Sequence, residues 1–340
     1  MIDLLLKIIL LVSPLAYCVN LSLDNFDFLL FRIGIMCLFF VSTFSEPVRI
    51  INKKYLWYPI TSLFTICLLN LFWNKFNPIS VSNTTNLFFG ILAIYIITRY
   101  VNKPKEIYSF IVLAVLINIF IFIFQKFGYN PILNTSFPDE VGANLGSAPR
   151  FAMWLGLICP ILFSYSKLFF PLIVLIAIGA TELSLLGIAV LVFIVMTKNK
   201  LYKLLLGVGL IIGILIFHKQ LLASCNVRID FWRNTIEYIV KRPLLGYGLG
   251  IGLKDSGFAN IFIQLCFQLG ILGFAWLQYW IYQVKHKFNT SIESLCLISF
   301  LLLSLIEYPI EIPRLWFYII SIISFFIIHI NKEEQNEPVK

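Results

Sequence analysis

Long apolar runs separated by short polar stretches repeat along the whole chain. They lie near 3–19, 27–44, 56–73, 86–98, 106–126, 150–166, 168–180, 183–197, 201–217, 257–283, 290–306 and 314–330. Most approach the ~20 apolar residues that a helix needs to cross a ~30 Å hydrocarbon layer. Period-two alternation of the membrane β-barrel kind is absent, so the runs are expected to be helices, which satisfy their own backbone hydrogen bonds. The pair within 168–197 is short for two crossings and is equally readable as one long helix or a re-entrant hairpin. The pattern therefore predicts an all-α polytopic membrane protein with about 10–12 transmembrane helices, residues 1–340 forming a single membrane domain.

Composition agrees with that picture. The 340 residues are 60% hydrophobic and 13% charged, against about a quarter charged in a soluble domain. A net charge of +9 raises the question of nucleic acid, but the cations are distributed as topology requires, and no nucleic-acid partner is expected. One alternate set of loops holds Arg49, Lys53, Lys54, Arg99, Lys103, Lys105, Lys167, Lys198, Lys200, Lys203, Lys285 and Lys287, with Lys332 and Lys340 in the tail. Such asymmetry predicts a multi-pass protein with both termini cytoplasmic. Six of the seven cysteines fall in apolar runs, and their spacing offers neither a zinc site nor a disulfide framework. The first run lacks a small-residue cleavage site, so it is expected to be a retained span.

Two outer loops interrupt the pattern, at 128–150 and 218–257. The second contains Lys219, Arg228, Arg233, Lys241, Arg242 and Lys254, positive charge on the side where orientation disfavours it. Apolar residues at 227, 231/232, 236 and 239/240 have helical spacing, which predicts an amphipathic helix lying at the outer membrane surface. Its polar side carries Arg233, Asn234, Glu237 and Lys241, with Arg233 placed to pair with Glu237 one turn on. Pro243 stops the helix, and Gly246, Gly248, Gly250 and Gly252 permit a tight turn close to the bilayer or a ligand. That glycine series is not a dinucleotide fingerprint, because no strand precedes it and it faces away from the cytoplasm.

The stretch Arg228–x3–Trp232, then Pro243-Leu244-Leu245-Gly246-Tyr247-Gly248-Leu249-Gly250, then Asn260 to Gln264 and Leu269 to Gly273, resembles the Wzy-type O-antigen polymerase and O-antigen ligase family. Glu307-Tyr308-Pro309 is similar to that family's last outer loop. The resemblance implies a metal-independent, inverting glycosyltransferase of the C type, working without a cofactor in the bacterial inner membrane. Its substrates would be polyprenyl-diphosphate-linked glycan donor and acceptor, in contact with membrane lipids and with a chain-length regulator protein as a further expected partner.

A diphosphate leaving group needs its developing charge stabilised, and guanidinium forks pair with phosphate oxygens bidentately where lysine does not. Arg228 and Arg150 are the leading catalytic candidates, with Glu307 beside them. Arg233, Trp232, Gly246, Gly248 and Asn260 are the expected substrate-binding residues. The position where family ligases carry a histidine is Ala259, which favours polymerase over ligase and leaves the general base open among Asp230, Glu182, Glu307 and Asp139. No metal site is expected. The alternatives are an O-antigen ligase that passes the glycan to an acceptor, and a flippase or transporter of the lipid-linked repeat unit. Transport is disfavoured because no internal repeat is evident, and the main basic residues within spans, Lys7 and Arg32, lie near enough to an end to snorkel.

Overall fold

The computed structural model describes residues 1–14, 26–48, 57–129, 148–179, 183–197, isolated positions between 200 and 215, 218–251, 260–306 and 315–336. Among these residues all regular structure is helical. The α-helices are α1 Ile2–Val12, α2 Phe26–Thr43, α3 Trp57–Trp73, α4 Pro78–Tyr100, α5 Pro104–Lys126, α6 Ala148–Tyr165, α7 Phe169–Gly179, α8 Leu183–Met196, α9 His218–Lys241, α10 Ile261–Val284, α11 Ile292–Ile306 and α12 Trp316–Asn336. All but α9 fall on expected apolar runs, and α9 is where the surface helix was expected. The run 201–217 is described only at scattered positions, and most of the loop 128–150, together with Glu182, Ala259 and Glu307, lies outside the described residues.

Four stretches are long and apolar enough to cross a bilayer: Pro78–Tyr100, Pro104–Lys126, Ile261–Lys287 and Trp316–Glu334. Shorter apolar helices of 10–17 residues lie within α2, α3, α6, α7, α8 and α11. Their exterior carries large exposed apolar side chains, among them Phe40, Leu69, Phe72, Phe120, Leu175 and Ile178. Contiguous apolar surface of that kind suits hydrocarbon rather than water.

Local chemistry sets the helix starts. Asn77 accepts a hydrogen bond from the Ile79 N–H at 3.0 Å and Pro78 follows it, so α4 begins eight residues before the apolar run does. Asn260 caps α10 in the same way, accepting from the Ile263 N–H at 2.9 Å. At the centre, α6 is buried without interruption from Phe151 to Phe163 between α8 and α11. Its Trp154 meets Tyr318 of α12 edge-on with ring centroids 5.4 Å apart, and Phe31 meets Phe317 at 5.1 Å with tilted rings. The Tyr318 hydroxyl donates to the Leu10 carbonyl and ties α12 to α1.

The polar contacts separate into two ends. At one, Asp3 accepts from the Asn102 N–H at 3.1 Å, Lys7 pairs with Glu106 at 3.7 Å, Tyr108 donates to Glu293 at 2.8 Å and Lys287 pairs with Glu334 at 3.5 Å. The beginning of α1, the α4–α5 turn, the α10–α11 turn and the end of α12 therefore share this balanced-charge end. At the other end lie the α3–α4 turn, the segment after α9 and the start of α10.

Candidate functional site

α9 presents three faces. Arg228, Trp232, Thr235 and Ile239, spaced as successive turns, are half-buried or buried toward α10. Arg233, Asn234, Glu237 and Lys241 are exposed, as the pattern predicts, and no ion pair joins Arg233 to Glu237. Between them runs an exposed apolar stripe of Ile229, Ile236 and Val240. The helix ends at Lys241, and Pro243, which lacks an N–H, does not continue it.

After α9 the chain folds against a break in α10. Gly270 has φ +69° and ψ −163°, conformations that a side chain would oppose, and it divides α10 into two helical pieces. Breaking a helix frees backbone groups that cost free energy if buried unpaired. Here the segment 242–251 pairs them. Tyr247 N–H donates to the Phe267 carbonyl at 2.9 Å, Gly248 N–H to the Gln268 carbonyl at 3.0 Å, and Ile271 N–H to the Pro243 carbonyl at 2.7 Å. Asn70 of α3, fully buried, donates to the Leu245 carbonyl and to the Gln268 carbonyl, the latter at 2.9 Å.

The turn after α9 thus lies against the break in α10 without room for side chains at the contact. A Cβ on Gly246 would sit inside the Phe267–Gln268 backbone, and one on Gly270 inside the Leu244–Leu245 backbone. Gly248 and Gly250 approach Ser80 and Asn83 of α4 just as closely. Tyr247 stacks on Phe267 with ring centroids 4.8 Å apart, and the Arg242 guanidinium covers Tyr247 at 4.8 Å while donating to Asn74 at 3.1 Å. The glycines are therefore a clasp between α9, the broken α10 and the start of α4.

Beneath the clasp is a cavity of about 450 Å³. Its walls come from α3, α4, α10, α11 and α12 and are mostly aliphatic and aromatic, with Trp276, Trp280 and Phe300 among them. Its polar lining side chains, Asn83, Gln264 and Gln268, belong to the first turns of α4 and α10, next to Leu249 and Gly250 of the clasp. Polarity is concentrated at the clasp end and hydrocarbon below it.

Of the expected site residues, Arg228 and Trp232 share the inward face of α9, while Arg233 points elsewhere and is exposed. Trp232 Nε1 is buried without an acceptor. Gly246 and Gly248 are buried in the clasp, and Asn260 is the buried cap of α10. Arg150 is exposed in the first turn of α6, and Glu307 lies outside the described residues. Sequence reading passed over Asn70, Ser80, Asn83 and Gln268, and placed Gln264 in the motif without giving it a role. The available signal was a lone asparagine in the apolar run of α3 and a polar cluster opening α4, since polar groups in a span face protein or a cavity.

No protein-family model matches the chain, and no curated protein matches it.

Proposed function

We propose that this protein polymerises polyprenyl-diphosphate-linked oligosaccharide repeat units at the membrane face that carries the clasp. The observation that carries the reading is the cavity beneath the glycine turn. Its apolar walls and polar mouth suit a substrate with a hydrocarbon tail and a polar head, and the sequence resemblance runs through the residues that form that mouth. In this reading the tail enters between α3, α4 and α10, and the diphosphate lies near the basic inward face of α9. Arg228 holds the leaving diphosphate through paired N–H donors, with Arg150 as a second cation. The acceptor hydroxyl attacks the anomeric carbon with inversion, and its proton passes to a carboxylate. The bacterial inner membrane, with both termini cytoplasmic, is the location this reading requires.

One feature favours the transporter reading: helices broken at membrane depth often form the substrate sites of secondary transporters. In those sites the freed backbone groups face substrate or ion. Here the Tyr247, Gly248 and Ile271 bonds consume them, so the break serves the fold.

Deleting the gene from its host and sizing the surface glycan separates the readings. Loss of polymerisation leaves single repeats attached, loss of ligation leaves long chains unattached, and loss of translocation leaves neither. Arg228→Lys keeps the charge but loses the fork, so chain length should collapse with it; normal chains from that variant would show that Arg228 only snorkels.

A further inference from the structure

α2 carries a guanidinium inside an apolar helix, and its surroundings differ from those of the other buried-end cations. Arg32 is half-buried, six residues or about 9 Å along α2 from Phe26. Its Nε donates to Asn86 Oδ1 at 2.8 Å and its Nη2 to Ser82 Oγ at 3.3 Å, both on α4. At the balanced-charge end Lys7 and Lys287 have Glu106 and Glu334. Arg32 has only neutral partners among the described residues.

Donors are also in excess there. Asn86 is 1% exposed, and because its oxygen is held by Arg32 its Nδ2 faces the other way with two N–H groups and no acceptor. A buried amide left without an acceptor costs about 1–3 kcal/mol. A buried charge without a counter-ion costs more. The component that Arg32 lacks is an anion. Ser82 is exposed and lies four residues, about 6 Å, along α4 from Pro78, close to the end of the helix.

We propose that Arg32, Ser82 and Asn86 form a binding site for a lipid phosphate group. The guanidinium supplies charge and paired donors, Asn86 orients it through Oδ1, and Ser82 forms the open edge toward the bilayer. Two sources share this chemistry, the headgroup of an anionic phospholipid and the diphosphate of a polyprenyl lipid. The proposal does not depend on glycan polymerisation.

The test uses the full chain in phosphatidylcholine nanodiscs, titrated with phosphatidylglycerol in one arm and polyprenyl diphosphate in the other. Bound lipid is counted by native mass spectrometry, and thermal unfolding is measured alongside. Wild type should retain one of these lipids, and Arg32→Gln should bind it about tenfold more weakly or worse. Asn86→Asp is the deciding variant, because it folds with an internal carboxylate on Arg32. It should unfold at the same or a higher temperature yet lose the lipid. The arm in which the lipid is lost names the source. Equal lipid retention by wild type, Arg32→Gln and Asn86→Asp, with only stability changed, would falsify the site and leave Arg32 as an interhelical clasp.

Discussion

At the scale of single residues, the glycines separate into those that must be glycine for packing and those that need only the backbone conformation. Gly246 and Gly270 have positive φ and face another segment's backbone closer than 3.0 Å from a built Cβ. Gly128 has φ +80° and nothing within 4 Å. Gly128→Ala should therefore cost only the conformational penalty, about 1 kcal/mol. Gly246→Ala and Gly270→Ala should each add overpacking of about 1–3 kcal/mol. Unfolding in detergent measures the difference, and equal losses at all three sites would contradict the clasp geometry. Asn70→Ala removes the donor shared by two buried carbonyls and should cost about 1–3 kcal/mol in the same assay. The tight turn at Gly246 was legible in the sequence, whereas the break at Gly270 was not, since Leu269 to Gly273 entered only as part of a motif. A kink depends on a partner segment that replaces the lost hydrogen bonds, and that partner lies about one loop away.

Among the helices, the readable and unreadable parts divide on physical grounds. Hydropathy located the helices whose surfaces face hydrocarbon or core, because burial in either requires apolar residues. It placed the fourth run at 86–98, whereas α4 is Pro78–Tyr100. The omitted turns carry Ser80, Asn83 and Ser82, which meet the clasp, the cavity and Arg32. A scale that scores every polar residue as solvent-facing truncates such a helix. α9 was legible in outline, since its polar face and its stop at Pro243 follow from spacing. The separation of its apolar residues into an inward face and the exposed Ile229–Ile236–Val240 stripe was not, because periodicity cannot distinguish protein contact from lipid contact. With the native cysteines replaced, single cysteines at 236 and 240 should be shielded from a water-soluble thiol reagent by lipid, and those at 233 and 237 should react. Uniform reactivity would mean the stripe faces water.

For the molecule as a whole, the two polar ends differ in kind. One is neutralised by Lys–Glu pairs, and the other holds Arg242 in the clasp, Arg228 and Arg233 on the adjoining α9, and Arg32 against the start of α4. Cysteines introduced at Lys75 and at Asn102, in the α3–α4 and α4–α5 turns, should react with an impermeant reagent from opposite sides of sealed vesicles. Reaction from one side would mean that α4 does not cross. The clasp also bears on how the chain is made. Residues 243–248 are synthesised before Phe267 to Ile271, and Asn70 has by then waited through some 170 residues of synthesis, the separation in its bond to Leu245 being 175. Until Gly270 emerges, the carbonyls and amides of the turn have no intramolecular partner. A chain released before that point should therefore be recognised as incomplete by membrane quality control, even with most of its helices inserted.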